Sequence, residues 1–432
     1  MDLQDKSISL IGYGVSNRAL LRYLCERGFC PTVRCEKECD VPSFIPTVFG
    51  KGYLDTKEDI VFRSPGVRPE KIKGSGKILT ELAFSLGKSR AFKIGVSGSD
   101  GKTTTVSLIY QMLKQSGKNA FIGGNIGKPL IPFAEKLEKT DFLCCEMSSF
   151  QLYDFAPTLD VAVITNISPN HLDWHSDMQE YVNAKKNILK NAKRVVLSYD
   201  DELVRKLGRG GVTFFSLCDC THLLGKGHSF VHIVNGNVCF GKKELFPVSL
   251  IKLKGEFNIK NVLCAVAAVY GIADIECCKR VVSEFCGVEN RMENLGKING
   301  VTFISSAIDT TPTRTKATLS AFDVSRSVVI MGGYDKCLSY DILSPQLDRA
   351  KGIVLCGENS EKIQNATKNK KVIRVNTLKE AVSVAFGMAE QGDYVILSPA
   401  SASFDMFKNY KEKALLFKEC VLKERNKLNG AN

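Results

Sequence analysis

The chain has 432 residues, 44% hydrophobic and 24% charged, and its 59 basic and 46 acidic side chains leave a net charge of +13. At ~100–200 residues per domain this length predicts two to four domains. The ordinary composition excludes a disordered or collagen-like chain, and no apolar run reaches the ~18 residues that span a bilayer.

Residues 1–6 are polar and lead into a short apolar run without a basic region or cleavage site. No signal peptide and no membrane insertion are therefore expected, and the protein is expected in the cytoplasm. The sixteen cysteines are scattered. Cys30, Cys35 and Cys39, and likewise Cys218, Cys220 and His222, lack the paired spacing of a structural zinc site, so reduced thiols are expected. Basic residues are spread along the chain with no aromatic–basic motif, and the charge alone suits either nucleic acid or an anionic small molecule.

In chain order, residues 7–12 read as a strand ending in a glycine turn, followed by a helical pattern through Leu20, Leu21 and Leu24 and a strand near Thr32–Cys35. The turn Gly12-Tyr13-Gly14-Val15-Ser16-Asn17 carries two of the three glycines of a dinucleotide fingerprint, weak support for a Rossmann-like opening. Residues 59–62 predict another strand, running into Ser64-Pro65-Gly66. A second unit begins with a strand at 92–97, and apolar strands recur at 142–145, 161–164 and 195–197, predicting a mostly parallel sheet with helices on both faces. From about Asn290 the alternation restarts with strands at 301–304, 328–331, 353–356, 372–375 and 394–397, a third α/β domain.

The most informative stretch is Gly98-Ser99-Asp100-Gly101-Lys102-Thr103-Thr104, after a strand and before the helical run 106–113. Backbone N–H groups of such a loop face phosphate oxygens, and the helix start adds partial positive charge. Lys102 is placed to reach the β- and γ-phosphates, and Thr103 to bind Mg²⁺. The full Walker spacing needs a glycine where Val96 stands, so the loop is a shorter variant. Glu146, His171 and Asp173 follow neighbouring strands and are candidates to hold metal beside a triphosphate. His171 and His175 have the spacing of a zinc-protease helix, but Leu172 replaces the required glutamate. Trp174 reads as packing.

Together, segments 98–104, 124–127, 146–152, 166–171, 332–336 and 398–408, with the tail 410–418, resemble the Mur ligases over essentially the whole chain, and the last two are typical of the D-glutamate-adding branch. The resemblance implies three α/β domains: an N-terminal Rossmann-like UDP-sugar-binding domain (1–88), a central P-loop ATPase domain (89–287) and a C-terminal Rossmann-like amino-acid-binding domain (288–432). It implies ATP-dependent addition of D-glutamate to UDP-N-acetylmuramoyl-L-alanine through an acyl phosphate, by a monomer with two Mg²⁺ ions. These anionic ligands account for the charge without nucleic acid.

By motif position, Thr103, Glu146, His171 and Lys185 would bind metal, with Lys185 carbamylated by CO₂; read without the motif, Lys185 is a solvated helix lysine beside Lys186. Lys102, Glu146, His171 and Lys185 would be the catalytic set. ATP would be held by the 98–104 loop (Gly98, Ser99, Asp100, Gly101, Lys102, Thr103, Thr104) with Asn258, Asn261, Arg291 and Ser306. The UDP-sugar would meet Gly14, Val15, Ser16, Arg34, Ser64, Asn125 and Ser148, and D-glutamate would meet Thr310, Lys336, Ser403, Phe404 and Tyr410.

The chain departs from the family pattern at several points. Phe257-Asn258 replaces His-Asn, and Ser305-Ser306 stands where an Asp-Ser pair usually holds the ATP ribose, with Asp309 a nearby substitute. Asp100 and Asn170 are milder variants. The departures imply weaker ATP binding, restored by Ser306→Asp. Two alternatives stay open on sequence: a sister Mur or folylpolyglutamate ligase with another substrate, and a non-catalytic relative that binds nucleotide-sugar.

Overall fold

Strands of three to eight residues, closed by turns and mostly apolar, build three sheets in a computed structural model that describes residues 3–172 and 174–429. Asp173 lies outside the described residues. The first sheet has five parallel strands in the spatial order Thr47–Phe49, Thr32–Cys35, Ile8–Ile11, Ile60–Arg63, Lys77–Leu79. Its central strands Ile8–Ile11 and Ile60–Arg63 are buried at every position, which is why they read as near-continuous apolar runs, broken only by Ser9 and Arg63.

The second sheet has nine strands, in the order Lys243–Pro247, Asn237–Phe240, Ser229–Val234, Thr213–Phe215, Asn191–Ser198, Thr158–Ile164, Phe92–Ser97, Phe142–Glu146, Ala120–Gly124. Six are joined in parallel from Ala120–Gly124 to Thr213–Phe215, and Ser229–Val234 continues that direction. The last two pair antiparallel in a meander. Its first turn is Asn235-Gly236, both at positive φ, the backbone of a two-residue hairpin. The third sheet has six strands, Glu293–Ile298, Val301–Ser305, Tyr394–Leu397, Ser327–Met331, Gly352–Leu355 and Val372–Arg374, all parallel except the first.

The chain packs as two compact units. One runs to Lys252 and resumes at Phe257–Glu284, holding the first two sheets; the other comprises Leu253–Glu256 and the chain from Phe285, holding the third. Within the first unit Arg63 is fully buried and joins the two sheets. Its Nε donates to Asp154 at 3.1 Å, and its terminal nitrogens donate to the carbonyls of Phe150, Pro65 and Val67 at 3.0–3.1 Å. Arg68 adds bonds to Glu180 (2.7 Å), the Tyr153 hydroxyl and the Trp174 carbonyl (2.8 Å). No described helix is long and apolar enough to cross a membrane.

Candidate active site

Parallel pairing brings the carboxyl ends of Phe92–Ser97, Phe142–Glu146, Ala120–Gly124 and Thr158–Ile164 to one edge of the second sheet, where ligands of such sheets gather. The loop from Gly98 leaves this edge and ends at Gly101, which precedes the helix Lys102–Gln115. Gly101 has φ +76° and faces Asn261, so a side chain there meets both a disfavoured backbone and an occupied space.

The loop is braced from the next strand end. Thr165 Oγ1 donates to the Asp100 carbonyl (2.6 Å), and the Asp100 N–H donates to Asn166 Oδ1 (2.9 Å). Ser99 Oγ lies 2.8 Å from the Tyr181 hydroxyl and accepts from Ser168 N–H. Lys102 Nζ donates to the carbonyls of Gly98 and Ser99, each at 2.8 Å.

Glu146 closes its strand rather than following it and is 3% exposed. One carboxylate oxygen accepts from Thr103 Oγ1 (2.6 Å), the other from Asn125 Nδ2 (2.8 Å). A carboxylate and a hydroxyl at the start of a helix are hard oxygen donors that fit Mg²⁺, an ion that usually takes one or two protein oxygens and completes its shell with phosphate and water. Among the described residues no group of three His, Cys, Asp or Glu forms a metal cage. His171 stands exposed at φ +56°, its ring 4.8 Å from that of Phe150. Trp174 packs between Phe150 and Tyr153 and donates its indole N–H to the Gly66 carbonyl.

Lys185 is not the solvated lysine that its neighbour Lys186 suggests. The helix Met178–Lys186, capped by Asp177, turns Tyr181, Ala184 and Lys185 inward. Lys185 is 2% exposed, and its Nζ donates to the Gly98 carbonyl at 2.7 Å. Burial first, and then the Lys102 charge, hold its pKa well below that of an ordinary lysine, against the opposing pull of Asp100 and Glu146.

Asn258 and Asn261 are buried on the helix Glu256–Val269, where Asn261 Nδ2 donates to Asn258 Oδ1 (3.3 Å) and Thr105 Oγ1 donates to Asn261 Oδ1 (3.4 Å). Arg194 covers the far end of this helix, donating to the carbonyls of Ala267, Ala268 and Tyr270, a favourable place for a cation.

At the edge of the first sheet, Gly14 precedes the helix Val15–Cys25, whose first turn holds Val15 and Ser16; Ser64 Oγ donates to the Gly12 carbonyl at 3.1 Å. Arg34 is committed to the fold, donating to Glu58 (2.8 Å) and the Asp55 carbonyl (3.0 Å). Asn17 stands in the turn motif without a role assigned from sequence. Buried under the glycine turn, its amide donates to the carbonyls of Ile11, Gly12 and Phe62, and its position in the turn motif is the signal that points to it. Ser148 caps the short helix Ser149–Leu152.

In the second unit, Lys336 and Phe404 are exposed, Phe404 facing Tyr334 with ring centres 6.4 Å apart. Ser403 is buried, and its hydroxyl has no hydrogen-bond partner among the described residues. Thr310 and Arg291 lie in half-buried turns, and Tyr410 opens the helix Tyr410–Asn429. Ser306 points inward: it is 1% exposed, and its hydroxyl meets Met292 N–H and Thr318 Oγ1 at 3.3 Å. Asp309 is buried too, accepting from Ser398 Oγ at 2.7 Å, and burial raises its pKa. Neither side chain is presented as an outward replacement for the aspartate missing before Ser306.

Residues 96–269 match the Mur ligase middle domain and residues 290–401 the Mur ligase glutamate ligase domain. Proteins named UDP-N-acetylmuramoylalanine–D-glutamate ligase from Acetivibrio thermocellus and Clostridium kluyveri are each 38% identical, and that from Ruminiclostridium cellulolyticum 37%; each match covers 97% of both chains. Among solved structures, the UDP-N-acetylmuramate–alanine ligase of Thermotoga maritima superposes with a TM-score of 0.62 at 18% identity, over 97% of this chain and 99% of that one. The MurF ligase of Thermotoga maritima, solved with ADP, gives 0.56 at 14% identity over 99% and 97%. Those two share the fold; the relatives at 37–38% identity, matched almost end to end, place the chain in the family. With the phosphate loop, the Thr103–Glu146–Asn125 array and these matches in agreement, the chain belongs to the Mur ligases.

Proposed function

We propose that the chain is an ATP-dependent ligase that adds D-glutamate to UDP-N-acetylmuramoyl-L-alanine in peptidoglycan precursor synthesis. The observation that carries this reading is the Glu146 carboxylate, held between Thr103 of the phosphate loop and Asn125. The side chains assigned to the nucleotide and to the muramoyl substrate thus converge on one group.

In this reading the loop N–H groups, the start of the helix Lys102–Gln115 and the Lys102 ammonium hold the ATP phosphates. The alanyl carboxylate attacks the γ-phosphorus, a new O–P bond forming as the bond to ADP breaks. The D-glutamate amine, having lost a proton, attacks the acyl carbon and expels phosphate. Phosphoryl transfer asks the protein for positioning and charge neutralisation above all. Thr103 and Glu146 would hold one Mg²⁺ and His171 a second; bound Mg²⁺ supplies neutralisation of the phosphate charge.

Lys185 suits carbamylation because CO₂ adds to a neutral amine, giving a carbamate and a proton, and burial favours the neutral form here. Gly14, Val15, Ser16, Arg34, Ser64 and Ser148 are proposed for the UDP-sugar, Arg34 through its backbone since its side chain is engaged. Asn258, Asn261 and Arg291 are proposed for ATP, with Ser306, whose side chain points inward, bracing that region rather than touching the nucleotide, and Thr310, Lys336, Ser403, Phe404 and Tyr410 are proposed for D-glutamate. The enzyme is proposed to act as a cytoplasmic monomer.

The test is phosphate release from ATP and Mg²⁺ with UDP-N-acetylmuramoyl-L-alanine, with and without D-glutamate. Release that needs D-glutamate and is lost in Lys102→Ala is expected. Binding of the UDP-sugar without any release would overturn the reading in favour of a non-catalytic relative.

A further inference from the structure

In the third sheet, the turn after the strand Ser327–Met331 carries Lys336. It leaves the strand through Gly332 and Gly333, at φ +111° and +158°, and added Cβ atoms would lie 2.5 Å from the Cys356 carbonyl oxygen and 2.1 Å from that of Ala402. Two consecutive glycines do little to fix a direction themselves, so the turn is fixed by its contacts. Gly333 N–H donates to Asn359 Oδ1 and Tyr334 N–H to the Ala402 carbonyl, both at 2.9 Å. The third contact is a charged one: Lys413 Nζ donates to the Gly332 carbonyl at 2.6 Å.

Lys413 reaches this point from the first turn of the helix Tyr410–Asn429. It is 1% exposed, lies beside the Phe407 ring, and makes no ion pair among the described residues. Burial lowers its pKa to about 8, with Asp405 and Cys356 pulling the other way. A buried ammonium with no direct ion pair is costly even with the Asp405 charge nearby, and an apolar side chain would fill the same space without that cost. The position pays for its charge with one contact, the carbonyl at the root of the Lys336 turn.

We propose that Lys413 is a positioning residue for the amino-acid substrate: by clamping the Gly332 carbonyl it sets the direction in which the turn presents Lys336 to a substrate carboxylate. This rests on the D-glutamate ligase reading.

The experiment compares Lys413→Met and Lys413→Arg with the full-length parent, measuring KM for each of the three substrates, kcat and the urea midpoint. Losing a charge-assisted hydrogen bond predicts a rise in the D-glutamate KM of about tenfold or more in Lys413→Met, with the KM values for ATP and the UDP-sugar within about twofold. Lys413→Arg, which can donate to the same carbonyl, should recover most of the D-glutamate KM. If Lys413→Met does not fold, Lys413→Gln takes its place. An unchanged D-glutamate KM, or an equal rise in all three KM values without rescue by arginine, would overturn the proposal. Parent enzyme whose phosphate release ignores D-glutamate would instead overturn the functional reading, and this proposal with it.

Discussion

Gly101→Ala tests whether the phosphate loop is as constrained as its geometry indicates. An alanine Cβ would lie 2.2 Å from Asn261 Oδ1 and 3.1 Å from its Cγ, on a backbone at φ +76°. The left-handed conformation costs a residue with a Cβ ~1–2 kcal/mol, and the stiffer unfolded chain adds to stability only when the native backbone suits the new residue. The contact is also far inside van der Waals distance, so Asn261 must turn away and loosen its bonds to Thr105 and Asn258. Those bonds are long, at 3.4 and 3.3 Å, and contribute ~1 kcal/mol together at most. The expected loss of stability is therefore ~1–3 kcal/mol. The ATP KM should rise as well, because the loop and Asn261 shift together. Urea unfolding and ATP-dependent phosphate release read the two effects. Adding Asn261→Ala removes the collision but leaves the backbone cost, so the double variant should be more stable than additivity predicts, by ~1 kcal/mol. A Gly101→Ala enzyme with the parent's urea midpoint and ATP KM would refute the argument.

Lys185→Met should abolish turnover while raising stability at neutral pH, since the folded state no longer buries an amine whose pKa it depresses. In the parent the unfolded chain binds the proton that the folded lysine has released, so stability climbs with pH until the unfolded pKa near ~10.4, and the substitution should remove that climb from urea midpoints. Arg63→Met breaks a fully buried guanidinium's bonds to Asp154 and three carbonyls and should cost ~3 kcal/mol or more, read by thermal unfolding. Ser306→Asp should not lower the ATP KM: it places a second carboxylate beside buried Asp309. Its stability deficit should shrink as pH falls through and below ~4, where the new group becomes protonated in both states; a lower ATP KM with parent-like stability would show that the side chain faces the nucleotide.

The strands that build the middle of each sheet were legible because burial on both faces leaves a mostly apolar run; Phe92–Ser97, Thr32–Cys35 and Tyr394–Leu397 were read to the residue. Most edge strands escaped, although Val372–Arg374, at the edge of the third sheet, was read. Thr47–Phe49, Lys77–Leu79 and Glu293–Ile298 are short or carry polar side chains to solvent. The meander Ser229–Pro247 escaped too, although Asn235-Gly236 between two alternating runs is a hairpin signal. In the site, the loop and Glu146 were readable because phosphate binding demands a glycine-rich turn between a strand and a helix. Burial of charge was not. Arg63, Lys185 and Lys413 look like surface cations in one dimension, and only their partners from distant segments make them interior groups. For Lys185 a local clue existed: it shares a helix face with Tyr181 and Ala184.

Trp174 is the chain's single tryptophan, and its place makes it a built-in optical probe. Its main chain bonds to the His171 carbonyl, its ring lies against Phe150 and beneath Arg68, and its indole N–H reaches the Gly66 carbonyl across to the first sheet. Tryptophan emission from this protein therefore comes from one junction, where the segment bearing His171 meets the edge of the first sheet. A change in wavelength on adding the UDP-sugar would report that junction directly, without a label and without the averaging that several tryptophans impose.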